Sequence, residues 1–306
     1  MENKYQLVIP TIMEDVNKIL EVKKILCQYL PIYEIVIIGD DEVEEYIKKY
    51  KDIKFVNEKD IIDIALIKEI ITLKEKKFQN RIRAGWYIQQ FIKMAYALIC
   101  KDEYYLLWDS DTIPLKKIDM VNSKGIPYFD MKTEYHKEYF DTISVIFPGI
   151  SKLVEKSFIS EHMLIKTSLM DDLIKKIESN VELKGNTFYE KILDAIAGEK
   201  ILRGGFSEFE TYGTYVMTYY EEEYVLREWK SMRYGSFFYN INNLNSRVIN
   251  WLGKNYDAIS LEKSDKKSKI FSKIAQNVFF IEYFPPSSLD LLSFLLRIRR
   301  KFSRNN

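Results

Sequence analysis

Short apolar runs rich in β-branched residues alternate with helical patterns in the first third of the chain. The runs over 5–10 (YQLVIP) and 34–39 (EIVIIG) are each followed by apolar residues at helical spacing. Further on, a helical pattern over 85–100 leads directly into a compact apolar run at 104–108. Strands that alternate with helices predict βαβ units, a largely parallel sheet, and ligands bound at the carboxyl ends of its strands. The sequence therefore predicts an α/β fold.

Composition narrows the class of protein. The chain has 306 residues, of which 47% are apolar, so it can bury a large core. Its 46 basic and 45 acidic residues give a net charge of +1, which argues against a dedicated nucleic-acid binder. The amino terminus lacks a signal-peptide pattern, and no uncharged run approaches the roughly 18–20 residues of a membrane span. We therefore expect a cytoplasmic protein.

The few histidines and cysteines restrict the kind of metal site. Two cysteines, Cys27 and Cys100, form neither a CxxC pair nor a disulfide framework. Two histidines, His136 and His162, cannot build a histidine-rich site. Any metal should therefore be held mainly by carboxylate oxygens, which favours Mg²⁺ or Mn²⁺ over Zn²⁺.

The segment LLWDSDTIPL is the most informative motif. An apolar strand ends in two aspartates, Asp109 and Asp111, separated by one residue. At this spacing both side chains point to the same side of an extended chain. Two such carboxylates can share a divalent cation, and the cation can neutralise a diphosphate. The alternative is an aspartate-rich turn without chemistry, because Asp and Ser are common turn residues.

One enzyme class with a similar motif is the haloacid-dehalogenase-like phosphatases. They use Asp-x-Asp-x-Thr/Val, with the first Asp as nucleophile and the second as general acid/base, and residues 109–113 look superficially similar. That family carries the motif near its first strand and needs a later acidic Gly-Asp pair. Here about a hundred residues come first, and the Gly-Asp-Asp at 39–41 lies upstream. The phosphatase is kept as the alternative.

Three segments together point to another class. They are GWYIQQFIK at 85–93, WDSDT at 108–112 and FSEFETYG at 206–213. In this order they resemble GT-A-fold glycosyltransferases, particularly a bacterial group with a WDSDT core associated with capsule and surface polysaccharide. The resemblance implies a GT-A-like, Rossmann-type nucleotide-binding sheet. It also implies transfer of a sugar, with inversion, from a nucleotide-sugar donor to a glycan or lipid-linked acceptor. A catalytically silent nucleotide- or glycan-binding module with this fold stays open.

The resemblance also implies site residues. Donor-binding positions would be Pro10, Thr11, Asp40, Gln90, Lys93, Asp109, Ser110, Asp111 and His162. Asp109 and Asp111 would also be the ligands of Mn²⁺ or Mg²⁺. Many members of the superfamily add a histidine ligand near the carboxyl end, but no histidine follows His162 here. Whether a metal is required therefore stays open.

Two acidic residues of FSEFETYG are candidates for catalysis. Ser207 and Glu210 have the spacing of a capping box, which would account for Glu210 structurally. Glu208 is not explained in this way. The resemblance implies that an acidic residue at such a helix start deprotonates the acceptor hydroxyl. We therefore predict Glu208 as the catalytic base and keep Glu210 as a second candidate.

The end of the chain differs from the rest. We predict a glycosyltransferase domain at 1–260, followed at 261–306 by a charged linker (262–273) and an amphipathic helix. The sequence of the helix combines apolar residues at helical spacing with basic ones: Leu291, Leu292, Leu295, Ile298 and Phe302, and Arg297, Arg299, Arg300, Lys301 and Arg304. This pattern predicts peripheral contact with the inner face of the membrane. The alternative is an ordinary helix packed on the domain.

Overall fold

The computed structural model describes residues 3–262 and 268–304, with the backbone alone at 297 and 299–304. The chain forms two compact units. The first comprises Met1–Glu14, Ile32–Asp109 and Met120–Glu228, and the second comprises Asp15–Pro31, Ser110–Asp119 and Trp229–Asn306. The predicted boundary after residue 260 stays a prediction, since the compact units divide the chain at other positions.

The described residues contain the following regular elements. The strands are β1 (Tyr5–Pro10), β2 (Ile32–Gly39), β3 (Lys54–Asn57), β4 (Tyr104–Trp108), β5 (Thr112–Pro114), β6 (Tyr128–Met131), β7 (His162–Lys166), β8 (Val225–Glu228), β9 (Ser231–Met232) and β10 (Ala258–Ser260). The helices are α1 (Met13–Tyr29), α2 (Asp41–Ile47), α3 (Ile64–Phe78), α4 (Ala84–Ala95), α5 (Lys137–Ile146), α6 (Thr167–Glu178), α7 (Phe188–Ala195), α8 (Glu208–Tyr219), α9 (Ser246–Leu252), α10 (Lys269–Ala275), α11 (Val278–Tyr283) and α12 (Ser288–Arg304).

The first unit is built on a five-stranded sheet with the order β3-β2-β1-β4-β7. The pairs β1–β2, β2–β3 and β1–β4 are parallel, and β7 joins β4 as an antiparallel edge strand. All six residues of β1 are buried, as expected for a parallel strand that is covered on both faces. The predicted α/β fold with a central, mostly parallel sheet is confirmed.

The strand order defines where this sheet can bind a ligand. Strand β2 lies on one side of β1 and β4 lies on the other. The carboxyl ends of β1 and β4 are therefore neighbours at the point where the strand order reverses. Open α/β sheets bind ligands in the crevice at such a point. The residues that follow β1 and β4 are therefore candidates for a ligand-binding site.

The junction between β2 and α2 depends on a glycine. A Cβ added at Gly39 would lie 2.9 Å from the side chain of Val43, closer than real Cβ atoms approach other atoms. Helix α2 therefore starts against the strand end because residue 39 has no side chain. Asp40 then caps α2, as its carboxylate accepts a hydrogen bond from the Val43 N–H at 3.1 Å.

The second unit contains a three-stranded sheet with the order β5-β10-β9. In its core the hydroxyls of Thr112 and Ser260 lie 3.0 Å apart. The predicted carboxyl-terminal helix is present as α12, and α10 and α11 precede it. The prediction of a linker at 262–273 is wrong from Lys269 onward, because helix α10 begins there. Residues 263–267 lie outside the described residues.

Helix α12 has two apolar faces, of which the fold buries one. Leu289, Ser293 and Leu296 are buried, whereas the stripe Leu291, Phe294, Leu295 and Ile298 is exposed. At 100° per residue the two sets lie on opposite sides of the helix. The helix thus packs on its unit and also presents an uncovered apolar stripe, while its contact with a membrane stays a prediction. Within the described ranges, no helix is both long enough and apolar enough to cross a membrane.

Candidate functional site

Asp109 directly follows β4 at the reversal of strand order and is held in two ways. Its backbone N–H donates to the carbonyl oxygen of Glu161 at 2.9 Å. Its Oδ1 accepts a hydrogen bond from Lys93 Nζ at 2.6 Å. The Asp109 side chain keeps 29% of its surface exposed. The second carboxylate oxygen, Oδ2, has no protein partner among the described residues and can receive a ligand.

Lys93, on α4, is the centre of a buried cluster of charges. Its ammonium lies between Asp109 and Glu208, and it donates to Glu208 Oε1 at 2.7 Å. The same ammonium lies 4.4 Å from the centre of the Phe209 ring. Burial alone would lower the pKa of Lys93, but the two carboxylates outweigh it and raise that pKa above its usual value. Lys93 is therefore a cation that joins α4, the end of β4 and the start of α8. We call Lys93, Asp109 and Glu208 the lysine cluster.

The start of α8 fixes the position of Glu208. Ser207 caps the helix by accepting the Glu210 N–H at 3.3 Å. The free N–H of Glu208 donates to Gln90 Oε1 at 3.0 Å. Gln90 and Lys93, predicted from the sequence as donor contacts, are both buried and act here on the first turn of α8. The structure thus brings four predicted residues together: Gln90, Lys93, Asp109 and Glu208.

Glu210 does not complete a capping box, so that prediction is wrong. Its Oε2 instead accepts hydrogen bonds from Ser157 Oγ at 2.7 Å and from the Phe158 N–H at 3.1 Å. Its Oε1 is buried without a hydrogen-bond partner among the described residues. Burial raises the pKa of Glu210, and the two donors offset only part of this effect. The side chain turns to the segment before β7 because donors are available there.

Glu161, which the sequence analysis missed, supplies the carbonyl that receives the Asp109 N–H. Its backbone has a φ of +64°, a left-handed conformation that is uncommon for residues other than glycine. Its carboxylate forms an ion pair with Lys132. No periodic pattern marks such a position in a single sequence, because the partners are 52 and 29 residues away.

His162, the first residue of β7, lies in a second buried group of charges. Its ring is 1% exposed and lies 4.9 Å from the ring of Trp108. Its Nε2 is 2.9 Å from Asp130 Oδ2, and its Nδ1 is 3.0 Å from the carbonyl oxygen of Ser160. Both ring nitrogens of His162 therefore lie within hydrogen-bond distance of an oxygen. These contacts explain His162 within the fold, and its role in donor binding stays a prediction.

Asp130 connects this histidine to an arginine. Its two oxygens accept hydrogen bonds from Arg227 Nε at 2.6 Å and Nη2 at 2.7 Å. Burial raises the pKa of Asp130, but the hydrogen bonds from Arg227 and His162 outweigh it, and the pKa is lowered overall. We call Asp130, His162 and Arg227 the histidine cluster.

The remaining predicted donor residues of the first unit lie at the ends of β1 and β2. Pro10 ends β1 and is buried, and the Thr11 N–H donates to the carbonyl oxygen of Ile38 at 2.8 Å. Asp40 caps α2. Glu58 follows β3, and burial together with the charge of Asp40 raises its pKa. These residues share the carboxyl edge of the parallel strands on which Asp109 also lies.

Ser110 and Asp111 belong to the second unit, because the unit boundary falls after Asp109. Within that unit the Asp111 carbonyl accepts the Leu261 N–H at 2.8 Å, and its Oδ1 lies 3.3 Å from Thr112 Oγ1. Among residues 3–262 and 268–304, no group of three His, Cys, Asp or Glu side chains could hold a metal ion. A cation bound by Asp109 and Asp111 stays a prediction.

The chain is weakly similar to several solved structures, among them the following three. Mouse xyloside xylosyltransferase 1 in its apo form has 12% identity and a TM-score of 0.40, with 87% of this chain and 100% of that chain covered. The galactosyltransferase LgtC with donor and acceptor sugar analogs has 10% identity and a TM-score of 0.39, with 83% and 86% covered. The glycosyltransferase GlyE of Streptococcus pneumoniae TIGR4 has 13% identity and a TM-score of 0.34, with 97% and 64% covered.

At TM-scores this low, no activity or residue role is transferred from those proteins to this chain. No curated protein matches the sequence. A model of a protein family, described as "Family of unknown function (DUF6492)", matches residues 27–240. Since the match spans more than half of the chain and includes β4, Lys93 and the start of α8, the protein belongs to the DUF6492 family.

Proposed function

We propose that this protein is a GT-A-like glycosyltransferase that moves a sugar from a nucleotide-sugar donor to a glycan or lipid-linked acceptor. The observation that carries the proposal is the position of Asp109. It follows β4 where the strand order reverses, it is held by Lys93 and Glu161, and it keeps 29% of its side chain exposed. A donor bound there would lie along the carboxyl ends of β1 and β4, beside Thr11 and Asp40.

The lysine cluster would hold the Asp109 side chain in place before a donor arrives. The ammonium of Lys93 holds Oδ1, so Oδ2 is presented in one direction. Two carboxylates and one ammonium leave the cluster with a net charge of −1. This excess of negative charge suits a bound cation or sugar and ribose hydroxyls, whereas a bare phosphate would be repelled.

The residues fit a divalent cation in part. Asp109 offers one free carboxylate oxygen, and Asp111 follows it with one residue between. Two carboxylates leave most of an octahedral shell to water and to the diphosphate oxygens, as is common for Mg²⁺ and Mn²⁺. When bound, such a cation would stabilise the negative charge of the departing diphosphate. This chain's own contribution is the orientation of Asp109 by Lys93.

Inversion at the sugar would require a base for the acceptor hydroxyl, and Glu208 is the residue we propose for it. Its carboxylate is 4% exposed and is paired with Lys93. To act as a base, Glu208 would have to exchange the ammonium for the incoming hydroxyl when donor and acceptor are bound. Glu210 has its own donors and a raised pKa, and it is the weaker candidate.

For the acceptor, we propose a role in bacterial surface-polysaccharide synthesis at the inner face of the membrane. The exposed stripe of α12 supports membrane contact, because Leu291, Phe294, Leu295 and Ile298 are uncovered. The sequence adds five basic residues within 297–304, a composition that anionic lipid surfaces attract. Co-sedimentation with vesicles containing anionic lipid, and release by salt, would test this part of the proposal.

A thermal-shift panel tests the activity class. Uridine, guanosine, cytidine and thymidine diphosphates, and their common sugar conjugates, are added with and without Mn²⁺. A ligand that binds only the folded state raises the unfolding temperature. We expect at least one nucleotide sugar to stabilise the protein, and to do so less in Asp109→Asn. A panel without any shift would contradict the proposal, and a phosphoaspartate trapped at Asp109 would favour a phosphatase instead.

A further inference from the structure

Glu161 has an uncommon backbone for its residue type, at the position that contacts Asp109. Among the described residues that are not glycine, Gln79 and Glu161 have positive φ values, of 51° and 64°. Gln79 is the C-cap of α3, where the left-handed conformation is ordinary. Glu161 ends no helix. It lies just before β7 and is 8% exposed, so its conformation needs another explanation.

The left-handed backbone aims the Glu161 carbonyl at the strand next to it. Strand β7 pairs with β4 in antiparallel register, with His162 opposite Trp108. One residue beyond Trp108 and one residue before His162, the Asp109 N–H donates to the Glu161 carbonyl at 2.9 Å. This bond fixes the backbone of Asp109, and Lys93 fixes its carboxylate.

An ion pair accounts for how a glutamate is kept in this conformation. Lys132 is paired with the Glu161 carboxylate, and both side chains are nearly buried. The backbone of Lys132 is in turn bonded to Ser157 in both directions, at 2.9 and 2.8 Å. Ser157 donates to Glu210 on α8. Lys132 therefore connects Glu161 to the same helix whose first residue is paired with Lys93.

We propose that Glu161, held by Lys132, is a positioning residue for Asp109. The ion pair keeps residue 161 in the left-handed conformation, and its carbonyl then fixes the direction in which Asp109 leaves β4. The proposal deepens the proposed function and rests on it only for the catalytic consequence. Backbone conformations of this kind are retained where the surrounding structure enforces them, often at functional sites.

The test uses residue-resolved hydrogen exchange of the Asp109 amide, together with the thermal midpoint and nucleotide-sugar turnover. Glu161→Gly removes the ion pair but accepts a positive φ without cost. We expect Asp109 exchange to become at least tenfold faster and kcat to fall at least tenfold. The thermal midpoint should stay within about 3 °C. Glu161→Gln can still accept from Lys132 and should restore most of the protection, whereas Lys132→Gln should resemble Glu161→Gly.

Gln79→Gly is the matched control, since it relieves the same kind of backbone at a helix end and should change neither exchange at Asp109 nor kcat. Unchanged Asp109 exchange in Glu161→Gly would overturn the proposal. Equal loss of protection along all of β4 with a lower midpoint would also overturn it, because Glu161 would then be structural only. If exchange changes as expected while even the unaltered protein turns over no nucleotide sugar, the positioning role stands and the proposed function fails.

Discussion

Two groups of charges lie near the end of β4, and they differ in what they leave open. In the lysine cluster, Asp109 keeps 29% of its side chain exposed and one oxygen without a protein partner in the described structure. In the histidine cluster, Arg227 is 27% exposed, but Asp130 and His162 are 2% and 1% exposed, and every polar atom of these two side chains has a partner. A cluster whose acceptors are all used stabilises a fold, while one that leaves an acceptor open can bind a ligand. We therefore propose that the histidine cluster serves stability and that the lysine cluster binds the ligand.

The largest expected effect is on stability, in the histidine cluster. Asp130→Ala leaves Arg227 and His162 without their shared carboxylate. Removing one partner of a buried ion pair costs about 3–5 kcal/mol. Urea unfolding followed by circular dichroism measures this loss. A cost below about 1 kcal/mol would show that the cluster is not what holds β6, β7 and β8 together.

The next effect is on activity, in the lysine cluster. Asp109→Asn can still accept from Lys93 and should cost only about 1 kcal/mol of stability. Its loss of charge should lower turnover roughly a hundredfold or more, and Asp111→Asn should do the same. Asp171→Asn, on the exposed side of α6, is the matched control. Near-normal turnover in both site variants would remove the two aspartates from the mechanism.

Glu208→Gln should lower turnover by about a hundredfold, the lower end of the range for a general base. Donor binding should remain, because a base acts on the acceptor and Gln still accepts from Lys93. Steady-state kinetics and a donor titration separate the two effects. If donor binding is lost instead, Glu208 serves the donor site through Lys93 and is not the base.

The pH dependence of stability should reveal the contribution of Asp130 in the histidine cluster. The pKa of Asp130 is lowered in the folded protein, so its contribution is present above the unfolded value of about 3.9. That contribution is lost as the pH falls through the lower folded value. Asp130→Asn should therefore lose stability at neutral pH and show a shallower decline in acid. An acid transition identical to that of the unaltered protein would exclude Asp130 as a source of this decline.

Glu210→Gln should have the smallest effect. The amide oxygen can still accept from Ser157 and Phe158, and a buried charge with a raised pKa is removed. A nitrogen without a partner replaces Oε1, and it opposes this gain. We expect a net change below about 1 kcal/mol and little change in turnover. A loss of activity as large as that of Glu208→Gln would mean that the roles of the two glutamates are reversed.

The sequence was sufficient for features that arise locally. Strands at 5–10 and 104–108 were predicted with the bounds that the structure has, because compact apolar runs mark them. Strand-end logic and the resemblance selected Asp109, Lys93 and Glu208, which the structure brings together.

Other features depend on contacts between distant residues. Asp130 and Arg227 are 97 residues apart, and no pattern in a single sequence pairs them. The hydrogen-bond partners of Glu210 were missed for the same reason. The spacing of a capping box is visible in the local sequence, but the competing donors at Ser157 and Phe158 are more than fifty positions away. Long-range polar contacts therefore explain why the sequence analysis gave the wrong partner for Glu210 and did not pair Asp130 with Arg227.

The most direct test of the central claim is the stabilisation that a bound nucleotide sugar gives to two variants measured side by side. With the ligand from the panel that shifts the unaltered protein most, Asp130→Asn should start from a lower unfolding temperature and gain the full shift. Asp109→Asn should start near the unaltered temperature and gain little or none. Full stabilisation of Asp109→Asn, together with none for folded Asp130→Asn, would contradict the assignment of binding to the lysine cluster and stability to the histidine cluster.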